Sequence, residues 1–193
     1  MSFIEAFTET MGSEGGYAND PTDRGGETYR GVSRVHHPDW LGWVIIDRLR
    51  EREDFPQCLN GNREAQIAVQ DFYRIEYWDR LLGSMVDEVS PDIAAELFDT
   101  AVNMGKYRAV KFLQSGLNTL NRDESLFLDL VEDGKIGKRT IGALKQLTAK
   151  DLPVLLKMMN VLQGAHYMAI MGRNHSQEKY ARGWFSRVSI TKE

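Results

Sequence analysis

Glycine is concentrated near the N-terminus, and this constrains the fold more than any other feature of the sequence. Six of the 17 glycines fall within twenty residues, at positions 12, 15, 16, 25, 26 and 31. Glycine adopts backbone conformations with positive φ that other residues avoid, and it weakens the interior of a helix. Residues 12–31 are therefore predicted to form tight turns or a small irregular hairpin. Just before them, apolar residues recur at helical spacing and predict a short helix that ends before Glu14.

Most of the remaining chain carries the apolar periodicity of α-helices. A long helix is predicted from Arg63 to Leu82, with Asn60 or Asn62 as its N-cap. The pair Ser90-Pro91 marks the start of another helix, which Gly105 interrupts. Further helices are predicted over residues 43–51, 110–120, 140–147, 151–171 and 177–188. Because strand signals are almost absent elsewhere, the predicted fold class is mainly α, with a small β-hairpin or irregular loop element near the N-terminus.

The composition excludes several classes of protein. With a formal charge of −4, a pI near 5.6 and no block of like charge, the sequence gives no sign of a nucleic-acid-binding surface. Cys58 is the only cysteine, which rules out an internal disulfide and a cysteine-rich zinc site. The four histidines lack metal-ligand spacing. We therefore expect no metal and no cofactor.

Membrane and export signals are also missing from the sequence. No stretch approaches the ~20 apolar residues that span a bilayer, so no membrane insertion is expected. The N-terminus lacks a basic region, and Glu5 and Glu9 interrupt its apolar residues, which argues against a cleaved signal peptide. We expect the chain to be made in the cytoplasm and to need another factor for delivery if its substrate lies outside the inner membrane.

The glycine-rich segment also carries carboxyl and hydroxyl groups suited to glycoside hydrolysis. Most glycosidases place one carboxylic acid beside the leaving oxygen and a second carboxylate where it activates water or stabilises the oxocarbenium-like state. Glu14 and Asp23, nine residues apart across turns, could face each other over a cleft, and Thr28 offers a hydroxyl to orient water. Packing of Glu14 against the preceding helix would raise its pKa, so that it keeps a proton near neutral pH. Asn19 and Asp20 could bind sugar hydroxyls or brace the turn.

The same residues carry a resemblance to a known family. The run Glu14-Gly-Gly-Tyr, followed by Asn19-Asp-Pro-x-Asp-x-Gly-Gly-x-Thr, is similar to the signature of the glycoside hydrolase family 108 muramidases, also called secretion-activator or phage-endolysin proteins. Residues 98–105, 133–140 and 183–187 resemble the C-terminal, peptidoglycan-binding-like half of that family. The similarity therefore covers most of the chain.

The resemblance implies a lysozyme-like fold and a defined reaction. The reaction is hydrolysis, without a cofactor, of the β-1,4 bond between N-acetylmuramic acid and N-acetylglucosamine. In the family the glutamate of the first motif is the catalytic acid, which here is Glu14. The spacing is also similar to that of phage-type lysozymes, in which a loop carboxylate and a threonine flank the nucleophilic water. Asp23 and Thr28 take these positions, with one residue of difference before the threonine.

The resemblance also implies a domain organisation and a setting. Residues 1–95 would form a catalytic lysozyme-like lobe and residues 96–193 a helical lobe like a peptidoglycan-binding region, packed as one compact unit. The partner would be the glycan strands of peptidoglycan. Action would take place on the cell wall in the periplasm, with release that can depend on a holin or an export machinery.

Each site residue also has a structural alternative. Asp23 could build an Asx-turn instead of serving catalysis. Tyr17 and Tyr29 could stack on sugar faces or pack into the core. Asn103 could hold an N-acetyl group or cap a helix end. For the whole chain, two other functions stay open: a lytic transglycosylase, which would use one glutamate and yield a 1,6-anhydro product, and a non-hydrolytic peptidoglycan-binding or secretion-assisting module.

Overall fold

The computed structural model describes residues 2–12, 15–20 and 25–189. They divide into two compact units. We call Phe7–Tyr77 the sheet unit, and residues 2–6 with 78–189 the helical unit. The structure is mainly helical with one small sheet near the N-terminus, which confirms the predicted fold class. The predicted lobes, residues 1–95 and 96–193, stay a prediction.

The sheet unit holds the end of the first helix, α1 (Phe3–Met11), and a small antiparallel sheet. Its three strands, β1 (Tyr17–Ala18), β2 (Thr28–Tyr29) and β3 (Val32–Ser33), lie in sequence order. Tyr17 pairs with Tyr29, and Thr28 pairs with both Ala18 and Ser33. The glycine-rich segment therefore contains the small hairpin that the sequence predicts.

Two helices complete the sheet unit. α2 (Gly42–Leu49) packs against α3 (Arg63–Tyr73), and Trp43, Ile46 and Val69 are almost fully buried in this unit. The side chain of Asn62 accepts a hydrogen bond from the backbone N–H of Ala65, so Asn62 is the N-cap of α3. This leaves the first turn of α3 with one of its free N–H groups satisfied.

The helix predicted to continue to Leu82 changes type before it ends. After α3 the chain forms a π-helical turn over Arg74–Trp78 and a 3₁₀ turn over Asp79–Leu81, and Leu82 has a φ of 52°. A left-handed residue cannot continue a right-handed helix. The prediction of one helix from residue 63 to 82 was therefore wrong. The sequence did not reveal the change, because α, π and 3₁₀ turns place apolar residues at similar spacings.

The helical unit is built around α5 (Pro91–Met104), which packs against the helices before and after it. Its neighbours are α4 (Gly83–Asp87), α6 (Lys106–Leu120) and α8 (Asp151–Arg173). The unit is completed by α7 (Lys138–Leu144), a 3₁₀ segment over His175–Tyr180 and α9 (Ala181–Phe185). The final helix predicted over residues 177–188 is thus replaced by two shorter segments. Among the residues that the structure describes, no helix combines the length and apolar character needed to cross a bilayer.

The limits of α5 follow from its end residues. The hydroxyl of Ser90 accepts a hydrogen bond from the backbone N–H of Ile93, and Pro91 occupies the first turn. At the other end Gly105 has a φ of 88° and separates α5 from α6. Both predicted boundaries are confirmed, because each depends on local backbone chemistry.

A carboxyl group is buried inside the helical unit. Glu96 on α5 accepts hydrogen bonds from the hydroxyl of Thr100 (2.9 Å) and from Nδ2 of Asn160 on α8 (3.0 Å). The residue is only 8% exposed. Burial raises the pKa of Glu96 to about 8, although the two hydrogen bonds act in the opposite direction. Glu96 therefore carries a proton at neutral pH.

We predict that Glu96 makes the helical unit less stable as the pH rises. The folded-state pKa lies above the ordinary value of 4.5, so the folded state holds the proton more tightly and loses stability between about pH 4.5 and pH 8. The expected loss in the free energy of unfolding is up to about 4 kcal/mol. Urea unfolding at pH 5 and pH 8.5 would measure it.

Glu96→Gln mimics the protonated acid and should remove most of this pH dependence. The exposed glutamate Glu88, changed to glutamine, should leave it unchanged and serves as the matched control. A Glu96→Gln protein with the same pH dependence as the wild type would show that this carboxyl group is not the cause.

Candidate active site

The structure describes the surroundings of the predicted catalytic pair but not the pair itself. Glu14 and Asp23 lie outside the described residues. Residues 15–20 follow the predicted acid and lead into β1, and residues 25–33 follow the predicted second carboxylate and form β2 and β3. The two segments therefore adjoin both predicted carboxyl residues in the chain.

The register of the sheet separates the predicted site residues into two sets. Side chains of residues that lie directly opposite each other project from the same face of a sheet, and neighbours along a strand alternate. Thr28 therefore shares a face with Ala18, whereas Tyr17 and Tyr29 share the opposite face. Thr28 is partly exposed, whereas the neighbouring Tyr29 on the opposite face is buried.

The turn between β2 and β3 is held by the end of α3. Arg30 and Gly31 both have positive φ, 45° and 79°, as in the primed turns of two-residue hairpins. The hydroxyl of Tyr73 donates to the carbonyl oxygen of Arg30 (2.9 Å). A Cβ atom on Gly31 would lie 2.5 Å from that hydroxyl, and one on Gly15 would lie 3.1 Å from the Cα of Arg30. Glycine is therefore required where the segment after Glu14 approaches this turn.

A carboxylate that the sequence analysis did not single out fixes the start of β2. Glu27 accepts a hydrogen bond from the hydroxyl of Tyr17 (2.9 Å) and forms ion pairs with Arg34 (2.7 Å) and Arg50 (2.5 Å). Only 11% of its side chain is exposed. Burial, followed by the hydrogen bond to Glu27, raises the pKa of the Tyr17 hydroxyl. Glu27 thus ties β1, β2 and β3 to the end of α2.

A second carboxylate extends this network onto α2. Arg34 donates to both carboxylate oxygens of Asp47, at 3.1 and 2.6 Å, and its guanidinium lies 4.5 Å from the ring centre of Trp43. The hydrogen bond from Arg34 holds the pKa of Asp47 below its ordinary value. Two-point contact of this kind fixes direction as well as distance. The sheet is therefore oriented on α2 by Arg34.

Comparison with known proteins assigns the chain to a family. The model of the family described as glycosyl hydrolase 108 matches residues 7–105, about half of the chain. The chain belongs to the glycosyl hydrolase 108 family. A second family model, described as a predicted peptidoglycan domain, matches residues 108–189. Comparison with curated protein sequences finds no match.

Among solved structures, that of SagA from Brucella abortus is similar to this member of the glycosyl hydrolase 108 family. The two chains are 23% identical, with a TM-score of 0.56, and the alignment covers 96% of this chain and 88% of that one. The likeness shows that the fold is shared.

Three of the predicted substrate contacts lie at the surface around β1. Asn19 and Asp20 are exposed, and Tyr17 is partly exposed. The ring of Tyr17 packs edge-on against Phe55, with ring centres 4.8 Å apart, while its hydroxyl binds Glu27. Asn19, Asp20 and part of the Tyr17 ring therefore lie at the surface of the sheet unit.

Tyr29 is placed differently. It is 1% exposed, and its hydroxyl donates to the carbonyl oxygen of Leu59 and accepts from Nε2 of Gln66. A ring packed in this way has no face open for a sugar, so Tyr29 acts in anchoring β2 to α3. Of the two predicted roles, packing into the core therefore fits the position of Tyr29, and stacking on a sugar does not.

Asn103 lies in the helical unit, near the end of α5. It is exposed, and its side-chain amide donates to the backbone carbonyl oxygen of Asp99.

The sheet unit also contains a groove that the sequence did not predict. It has a volume of about 770 Å³ and is lined mainly by apolar and aromatic side chains, among them Trp40, Ile67, Phe72 and Ile75. Grooves of this composition are typical of ligand-binding surfaces. The residues come from the loop before α2, from α2 and α3, and from the π-helical turn that follows α3, so they are not neighbours in sequence. In the described part of the chain, no three His, Cys, Asp or Glu side chains cluster as metal ligands would.

We predict that Glu27→Gln destabilises the sheet unit by about 2 kcal/mol. The substitution removes a mostly buried negative charge, so the positive charges of the two arginines are no longer balanced. Urea unfolding would measure the change. Glu64→Gln is the matched control, because Glu64 also pairs with an arginine, Arg48, but both side chains are more than half exposed. The control should cost less than about 0.5 kcal/mol. Equal effects of the two variants would contradict a structural role of Glu27 in the network.

Proposed function

We propose that this member of the glycosyl hydrolase 108 family hydrolyses peptidoglycan at the β-1,4 bond between N-acetylmuramic acid and N-acetylglucosamine. One observation carries the proposal. The match to the glycosyl hydrolase 108 model, residues 7–105, contains the whole motif from Glu14 to Thr28, and the predicted peptidoglycan domain follows it directly. A glycosidase region and a peptidoglycan region in one chain favour the polymer as substrate.

In the proposed reaction Glu14 is the general acid. It would protonate the glycosidic oxygen as the bond to the sugar breaks, which requires a carboxyl group that keeps its proton near neutral pH. Gly15 and Gly16 come directly after Glu14, and Gly15 has a φ of 83°. Gly15 thus has a backbone conformation that residues other than glycine avoid, between the acid and the start of β1.

Asp23 and Thr28 would position the attacking water. The support for Thr28 is its place in β2, where it is partly exposed and paired on both sides, with Ala18 and with Ser33. Pairing on both sides restrains the backbone, and the adjacent Glu27 is held by two arginines. A hydroxyl on a restrained strand can hold water in a fixed direction, as catalysis by positioning requires.

Contacts to the glycan would come from exposed polar and aromatic groups. Asn19, Asp20 and part of Tyr17 surround β1, and Asn103 is exposed on α5. Action on the cell wall in the periplasm, with release by a holin or an export machinery, belongs to the same proposal.

The first test replaces the acid. Glu14→Gln removes the proton donor and keeps the shape of the side chain, so clearing of purified cell walls should fall by at least about 100-fold. Glu9→Gln changes an exposed glutamate of α1 and should clear walls like the wild type. Equal clearing by Glu14→Gln and the wild type would show that Glu14 is not the acid.

The products of the same digestion decide between reactions. A muramidase adds water and leaves a reducing end, whereas a lytic transglycosylase forms a 1,6-anhydro product that is lighter by one water. Mass spectrometry of the released fragments separates the two. Binding to walls without any clearing by the wild type would instead identify a non-hydrolytic module.

The second test concerns the water. We expect Asp23→Asn and Thr28→Val each to lower kcat by at least about tenfold with little change in KM, since both would act on the water and not on binding. Thr28→Ser keeps the hydroxyl and should restore most of the rate. If Thr28→Val keeps the wild-type kcat, the hydroxyl of Thr28 does not position the water.

A further inference from the structure

We propose that Arg187 is a positioning residue for glycan binding. Through Asp99 it holds the side chain of Asn103 so that the Oδ1 atom of Asn103 can accept a hydrogen bond from the N–H of an N-acetyl group. The inference rests on the proposed function, because it takes an N-acetylated glycan as the ligand. It concerns the helical unit alone.

The carboxylate of Asp99 is held from two sides. Arg187 donates to Oδ1 at 2.8 Å, and Nε2 of Gln163 donates to Oδ2 at 3.2 Å. The side chains of Arg187 and Asp99 are 19% and 16% exposed, so solvent screens this ion pair less than it screens a surface pair. Gln163 on α8 is fully buried and also donates to Thr100, which hydrogen-bonds Glu96. The plane of the Asp99 carboxylate is therefore fixed.

Arg187 is itself placed by the segment around it. Three residues earlier, Trp184 stacks on Tyr167 of α8, with ring centres 4.9 Å apart and 20° between the ring planes. Two residues later, the backbone N–H of Ser189 donates to Oδ1 of Asn160 at 2.6 Å. The segment that carries Arg187 is thus attached to α8 on either side of the arginine, 88 residues along the chain from Asp99.

The fixed carboxylate determines which end of the Asn103 amide is left for a ligand. Nδ2 of Asn103 donates to the backbone oxygen of Asp99 at 2.8 Å and lies 3.3 Å from its Oδ1. Both partners are acceptors, so the amide nitrogen must face them and the amide oxygen must face away. Asn103 is exposed. The group that it presents is therefore a carbonyl oxygen, which accepts hydrogen bonds and cannot donate them.

An acceptor at this position fits one feature of the proposed substrate. Each N-acetylated sugar of a peptidoglycan strand carries a secondary amide whose N–H is a donor. A free Asn side chain could present either its donor or its acceptor. The backbone oxygen of Asp99 and its carboxylate, which Arg187 holds in place, remove that freedom. Binding would therefore favour the N–H over an acceptor group at the same place, as specificity by a fixed polar group requires.

The experiment is a double-mutant cycle with chitotetraose as the probe. The dissociation constant is measured by titration calorimetry for the wild type, Asn103→Ala, Arg187→Gln and the double variant. Loss of one hydrogen bond should weaken binding about fivefold in each single variant. If Arg187 acts through Asn103, the double variant should bind no more weakly than Asn103→Ala alone.

Two further variants keep the test sharp. Arg187→Lys retains the positive charge and should recover part of the affinity. Arg182→Gln removes an exposed arginine of α9 and should bind like the wild type. If Arg187→Gln does not unfold cooperatively on heating, the cycle is run with Arg187→Lys, with the same expectation for the double variant.

The outcomes separate the two proposals. The role of Arg187 would be overturned if the two substitutions changed the dissociation constant independently, so that their effects multiply in the double variant. It would also be overturned if neither single variant weakened binding, or if the wild type did not bind chitotetraose. Wall clearing by Glu14→Gln is scored separately. If Glu14→Gln clears walls like the wild type while the effects of Arg187 and Asn103 on binding are coupled, Glu14 is not the acid but Arg187 is still a positioning residue.

Discussion

The position of the glycine-rich segment depends on a buried negative charge. Left alone, a carboxylate that is mostly out of water is unfavourable, so Glu27 requires the two arginines that surround it. Those arginines come directly after β3 and directly after α2, and the hydroxyl of Tyr17 comes from β1. Strands of two residues have too few backbone hydrogen bonds to be stable by themselves. The side-chain network supplies the restraint that the short strands lack.

Much of the helical architecture could be predicted from sequence because its signals are local. The caps at Asn62 and Ser90 and the break at Gly105 each depend on one or two residues and their immediate backbone. The change from α to π and 3₁₀ turns after Tyr73 could not be predicted, since the apolar spacing hardly differs between them. The structural role of Tyr29 was likewise open, because burial depends on partners 30 or more residues away.

In the candidate site, too, local features could be predicted from the sequence and contacts between distant residues could not. The motif from Glu14 to Thr28 is contiguous, so its chemistry was visible in the sequence together with the resemblance to the family. Glu27 lies inside that motif but was not singled out, because its partners are 7 and 23 residues away and no periodic pattern connects them. The cluster of Asp99, Gln163 and Arg187 is more distant still. The residues proposed to act on the substrate could be named from the sequence more easily than the residues that hold their neighbours in place.

The regions matched by the two family models do not coincide with the way the helices pack, and α5 shows the difference. It lies within residues 7–105, the region matched by the glycosyl hydrolase 108 model, yet it packs with α6 and α8, which lie in the region of the predicted peptidoglycan domain. A fragment cut at residue 105 would lose the helices α6 and α8 against which α5 packs, and would expose apolar surface of α5 to water. The two regions are therefore not interchangeable modules. A chimera that preserves the core must transfer α5 together with the helices that follow it.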